Sequence, residues 1–117
     1  LLRDPELYSR LGEFIMADTR LNLHYLLVNV LGSNNVYFQP PSTITMKYPC
    51  IVYKRASQND IYANNSLYTN KKKYLVTIID SNPDSEIPDR MMQLRYCSFD
   101  RHYVADGLNH DVYEIFF

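Results

Sequence analysis

Cys97-Ser98-Phe99-Asp100-Arg101-His102-Tyr103-Val104-Ala105-Asp106-Gly107-Leu108-Asn109-His110-Asp111-Val112-Tyr113 is the stretch on which the reading of this chain turns. Two short runs of alternating apolar residues flank a polar bend, the pattern of a β-hairpin. The same stretch holds two of the three histidines and three aspartates, so any acid–base or metal chemistry would gather here.

The hairpin's register can be argued from its side chains. A two-residue Asp106-Gly107 turn opposes Phe99 with Glu114 and Ser98 with Ile115, which mixes a core face with a solvent face. A one-residue slide places Phe99 opposite Tyr113, Cys97 opposite Ile115 and Arg101 opposite Asp111. Opposed apolar pairs and an opposite-charge pair stabilise a sheet, and a one-residue slip turns every side chain over. The expectation is therefore a loop over residues 104–108 rather than a tight turn, with Gly107 or Asn109 left-handed. The last strand runs to Phe117 and should be tied into the sheet.

Upstream, Ile51-Val52-Tyr53-Lys54 reads as a strand, and a second begins near Lys72 and runs through Ile79. The second is apolar on both faces, the pattern of a central strand covered on both sides. Val36-Tyr37-Phe38 is a short extended piece of a connector, stopped by Pro40-Pro41. Asn82-Pro83-Asp84-Ser85-Glu86-Ile87-Pro88 opens a short helix that continues through Met91 and Met92 to about Leu94, with acidic residues in its first turn.

Near the start, residues 5–16 read as a helix, with Asp4 as cap, Pro5 in the first turn and a stripe of Leu7, Leu11, Phe14 and Ile15. A second helix follows a joint at residues 17–19, with Leu23, Leu26, Leu27 and Val30 as its stripe and Gly32 as its C-terminal cap. The order is helix, helix, strand, strand, helix, strand, strand. That predicts an α+β domain with a mainly antiparallel four-stranded sheet, packed against N-terminal helices and one short helix between the second and third strands. Residues 1–117 form a single domain, with 1–18 as an N-terminal helical extension.

Composition narrows the function classes. A length of 117 residues, 46% hydrophobic, suits one domain with its own core. The net charge of −1 offers no global basic field to nucleic acid. Leu1-Leu2-Arg3-Asp4 lacks the charged-then-apolar order of a signal peptide, and no apolar run is long enough to span a bilayer. Cys50 and Cys97 make no disulfide framework and read as reduced, buried residues. Eleven tyrosines and five phenylalanines, without tryptophan, exceed what a small core readily encloses. Tyrosine is enriched where proteins meet, so the aromatic excess points to interface surface. The long segment over residues 56–71, rich in Asn and Ser with Ile61, Tyr62, Leu67 and Tyr68 among them, is a candidate interaction element.

Catalytic motifs are weak. His102 and His110 are eight apart across a bend, without the short fixed spacings of a zinc site. No serine sits in a nucleophile elbow, and three glycines make no phosphate-cradling loop. Asp80, Asp84, Glu86 and Asp89 lack the ligand alternation of a calcium loop and read as caps and solvated charges. Lys71-Lys72-Lys73 is the basic run; its plain role is to guard a strand entrance, its sharper role a contact with phosphate or an acidic partner. Neither catalysis nor a cofactor is expected.

Several blocks taken together say more. Val36-Tyr37-Phe38-Gln39-Pro40-Pro41, Met46-Lys47-Tyr48-Pro49-Cys50-Ile51-Val52-Tyr53, Asn82-Pro83-Asp84-Ser85, Phe99-Asp100-Arg101-His102-Tyr103 and Asn109-His110-Asp111-Val112-Tyr113 resemble, in combination, the tail-terminator (tail-completion) proteins of long-tailed bacteriophages. The resemblance covers residues 21–117. It implies a non-enzymatic virion protein of the tail or neck, assembled in the host cytoplasm. It further implies a homo-oligomeric ring, usually a hexamer, on the head-proximal end of the tail tube. Such a ring stops tube polymerisation, docks the head-completion or connector protein, and lets DNA pass without specific recognition; no membrane is involved. On that reading Tyr62, Tyr68, Lys71, Lys72 and Lys73 are candidates for tube or lumen contact, and Leu7 and Leu11 of the first helix for subunit contact. Phe99, Arg101, Asp111 and Tyr113 are hairpin determinants. A neck adaptor of the same virion is the alternative, and a small metal-dependent hydrolase a distant one.

Overall fold

The computed structural model describes residues 19–56 and 71–117. The helix expected over residues 5–16, with Leu7 and Leu11, lies outside the described residues, as do Tyr62 and Tyr68.

Helix α1 spans Thr19–Leu31. Its Leu23, Leu27, Val30 and Leu31 are buried, the i, i+4, i+7, i+8 stripe of a helix laid on a core. Gly32 ends it at φ +85°, and its N–H donates to the Val28 carbonyl at 2.8 Å. Left-handed backbone at this position favours glycine. Arg90 closes the same end from across the fold, its Nε donating to the Val30 carbonyl at 2.7 Å. A cation there also offsets the helix dipole.

Five strands form one sheet: β1 Val36–Phe38, β2 Cys50–Arg55, β3 Lys73–Asp80, β4 Cys97–Ala105 and β5 Leu108–Phe116, in the order β1-β2-β3-β5-β4. The sheet is mixed, because β1 runs parallel to β2 while every other pair is antiparallel. The sequence suggested four strands; the fifth is Val36-Tyr37-Phe38. Three residues stopped by two prolines carry little strand signal of their own. They gain their conformation by pairing with β2, Tyr37 opposite Val52. Gln39 then turns the chain away at φ 44°, its N–H donating to the Tyr53 carbonyl.

Strand β3 is central, as its apolar run predicted. Tyr74, Val76 and Ile78 face the helices and share one core with Leu23, Leu27, Ile51, Tyr53, Tyr113 and Ile115. Cutting a leucine such as Leu27 to alanine in such a core costs about 2–5 kcal/mol. The described helices, α1 and the short α2, Ile87–Met91, both contribute to this core, and the opposite face is covered as well at Lys73, Ile79, Val112 and Phe116, which are buried. Lys73, Leu75, Thr77 and Ile79 alternate onto the opposite face.

Helix α2 is shorter than the sequence suggested. Pro88 falls in its first turn, Ile87 and Met91 are buried, and Met92 is already half-exposed. The chain leaves through tight i→i+3 bonds, Gln93 to Arg90 and Leu94 to Met91, so the regular helix stops after five residues.

The hairpin satisfies both halves of the register conflict. At its base Cys97 faces Ile115 and Phe99 faces Tyr113, as the side chains required. A register shift between Phe99 and Arg101 then inserts Asp100 as an extra residue, a β-bulge. Beyond it the pairing is Arg101 with Val112, His102 with Asp111 and Ala105 with Leu108. The expected loop over residues 104–108 is thus a two-residue turn, with Asp106 at φ 53° and Gly107 at φ 74°, the geometry that suits right-twisted hairpin strands. Arg101 does not oppose Asp111; its guanidinium pairs with neighbouring Asp100 at 2.9 Å, and His102 takes Asp111 at 2.8 Å. Phe117, just past β5, is tied in by its N–H to the carbonyl of Lys72, the residue before β3, so the terminus is held to the sheet as expected.

Candidate interaction surface

Strand β4 is the long outer edge of the sheet. It has β5 on one side, and seven consecutive residues, 98–104, are exposed. A five-residue helix is only about 7.5 Å long and cannot roof a nine-residue strand. Phe99, 50% exposed, stacks edge-on against Tyr113 at 5.4 Å, and Val104 is 63% exposed on the same side. Tyr103 alternates to the other side and stacks flat on His110 at 4.6 Å. Exposed, paired or stacked side chains on an open edge can bind a partner by backbone pairing and apolar contact.

Exposed apolar groups also lie outside β4. Tyr25 of α1, at 43%, and Ile44 of the β1–β2 connection, at 42%, are among them. Tyr48 of the same connection is exposed as well, and Tyr37 anchors that loop by accepting the Lys47 N–H. Aromatic excess therefore divides between roles: Tyr53, Tyr74, Tyr113 and Phe116 are buried, whereas Tyr25, Tyr48, Phe99 and Tyr103 reach the surface.

Charge is uneven along the sequence, with Lys71, Lys72 and Lys73 against Asp80 on residues 71–80. Residues 19–56, which build α1, β1 and β2, carry Arg20, Lys47, Lys54 and Arg55 and no carboxylate. Residues 81–117, which build α2, β4 and β5, carry seven carboxylates against three arginines, a net of −4. This uneven distribution was not among the sequence expectations, although it can be counted directly from the sequence.

The basic run is split by the sheet. Lys71 lies over the Tyr96 ring at 5.1 Å and Lys72 is exposed. Lys73 is buried and pairs with Glu114 at 3.2 Å, so its charge is largely neutralised within the sheet. Of the acidic run, Asp80 and Asn82 accept the N–H groups of Asn82 and Asp84, and Ser85 accepts that of Ile87. These side chains build the turn into α2.

Inside, Tyr53 joins α1 to the sheet. Its hydroxyl accepts from Arg20 at 3.2 Å and shares a 2.8 Å hydrogen bond with Nδ1 of His24. Burial, and then the Arg20 charge, hold the His24 pKa below its ordinary value. A neutral ring accepting at Nδ1 suits that shift. Arg20 also lies over the Phe38 ring at 4.7 Å.

Cys50 and Cys97 are free, with thiols pushed up to about 11 by burial. They sit on β2 and β4, three strand spacings or about 14 Å apart, beyond disulfide reach. Among the described residues no group of three or more His, Cys, Asp or Glu side chains could hold a metal ion, and no helix is long and apolar enough to cross a membrane. Comparison with protein-family models, curated proteins and solved structures returns no match.

Proposed function

We propose that this chain is a tail-terminator protein of a long-tailed bacteriophage. It forms a ring on the head-proximal end of the tail tube, stops tube polymerisation and offers the docking surface for the head. The observation that carries the reading is the ordered series of sequence blocks from Val36 to Tyr113.

The fold supports it by giving those blocks connected work. Val36-Tyr37-Phe38-Gln39 makes β1 and its exit, and Pro49-Cys50-Ile51-Val52-Tyr53 makes the strand beside it. Asn82-Pro83-Asp84-Ser85 makes the turn into α2. Phe99-Asp100-Arg101-His102-Tyr103 and Asn109-His110-Asp111-Val112-Tyr113 pair across the hairpin. These blocks are framework, which leaves the binding of tube, head and neighbouring subunits to exposed side chains. Exposed Phe99, Tyr103 and Val104 on the edge strand β4 suit a protein whose work is assembly. On this reading the chain belongs in the virion neck, assembles in the host cytoplasm and needs no cofactor.

Electron microscopy of particles made without this protein tests the proposal. Overlong tails without heads are expected. Tails of normal length with heads attached would contradict it.

A further inference from the structure

We infer that the far end of β2, on the face that α1 covers, is a binding site for a carboxylate on an acidic segment of a partner protein, held by the guanidinium groups of Arg20 and Arg55. The inference stands apart from the tail-terminator reading.

Strand pairing puts the groups of the site on one face of the sheet. Arg55 lies two residues beyond Tyr53 on β2, so it shares that residue's face, and it stands opposite Tyr74 on β3. Phe38 of β1 is in register with Tyr53, and their rings touch at 4.9 Å. From α1, Arg20 and His24 are one helical turn apart and both reach the Tyr53 hydroxyl. The Phe38 ring lies under the Arg20 guanidinium. These contacts fix the Arg20 fork, yet the Tyr53 bond uses only one of its donors.

Two positive charges are left without a counter-charge. Among the described residues no carboxylate pairs with Arg20 or Arg55, and Arg55 is exposed. Tyr74 is an independent sign. Its side chain is 2% exposed, yet among the described residues no hydrogen bond reaches its hydroxyl, and no buried side-chain oxygen or nitrogen goes unpaired. The hydroxyl of an otherwise buried ring therefore opens to solvent, free to donate to a ligand. Burial raises its pKa, while Arg55 and then Arg20 draw it back, so both cations lie within reach of it.

The donors that remain select a carboxylate. Phosphate sites commonly draw on backbone N–H groups. Here those are spent: Arg55 N–H donates to the Gln39 side chain, Ala56 N–H to the Lys73 carbonyl and Gln39 N–H to the Tyr53 carbonyl. What is left is two planar forks and one hydroxyl, and a fork pairs side-on with a planar carboxylate. Exposed Tyr25, edge-on to His24, gives the site an apolar flank that a peptide can cover and a small acid cannot.

The experiment titrates the full, isotope-labelled chain with hexaglutamate at constant ionic strength, read by nuclear magnetic resonance. Signals of Arg20, His24, Arg55 and Tyr74 are expected to move together and saturate, while those of Arg101 stay in place. Arg55→Gln removes an exposed side chain and should weaken binding about tenfold at an unchanged melting temperature. Tyr74→Phe removes only the hydroxyl and should weaken it severalfold. Lys54→Gln removes the same charge from the neighbouring residue on the other face, and should bind as wild type does. No saturable shift up to about 10 mM peptide overturns the inference. So does equal weakening by Lys54→Gln and Arg55→Gln, since charge alone then accounts for binding. A thymidine hexanucleotide moving the same signals at lower concentration than hexaglutamate overturns it by making the site one for phosphate. Binding that requires Asp18→Asn and Asp60→Asn, which change two carboxylates outside the described residues, overturns it by showing that the chain fills the site itself.

Discussion

Tyr53 is fully buried, yet its hydroxyl gathers two side chains of α1, Arg20 and His24. That polar contact fixes how the helix seats on β2. It also makes stability depend on pH. An unfolded histidine titrates near 6.5, and His24 in the fold titrates lower, chiefly through burial and then through Arg20. The neutral ring's contribution is therefore complete above about 6.5 and is lost as pH falls from there through the folded value. The melting temperature should fall between pH 7 and pH 5, and His24→Gln should flatten that fall, because glutamine can still accept from the Tyr53 hydroxyl. Equal slopes for the two proteins would contradict this. Little of the contact was legible beforehand. Sequence placed His24 on the helix and Tyr53 on a strand, but pairs 29 residues apart follow from the packing of one element on another.

The hairpin shows at the scale of an element what sequence can and cannot settle. The Phe99–Tyr113 pairing follows from side chains, and Asp106-Gly107 is a strong turn signal. Each looked incompatible with the other because strands were assumed regular. Asp100 resolves the conflict, and nothing in its identity marks a bulge. Deleting Asp100 should force either the tight turn or the Phe99–Tyr113 pair to give way, at a cost of about 1–3 kcal/mol. Thermal unfolding reads the loss, and cross-strand nuclear Overhauser effects between Phe99 and Tyr113 show which half yielded. Unchanged stability with both halves intact would mean that the bulge is dispensable. Strand β1 failed to read as a strand for a related reason: three residues acquire extended pairing from β2 rather than from their own pattern. Helix α1 read well because its stripe and Gly32 are both local signals.

At the scale of the molecule, an α+β core with the described helices packed on a mixed sheet leaves β4 as a long exposed edge. Composition pointed to interface surface through the tyrosine count, and the structure sorts those rings into core and surface. The candidate site was less legible. Lys73 belongs to a basic run in sequence but to an internal ion pair in the fold, and the exposure of Phe99 and Val104 follows from the edge position of β4, which the strand order sets.

The central claim is that this protein acts by binding the end of a growing tube. Polymerisation of the cognate tube protein, followed by electron microscopy with increasing amounts of the purified chain, tests it most directly. The account predicts that growth stops, with the chain as a cap on one end of each tube. Tubes that lengthen unchanged and carry no bound chain at either end would contradict it.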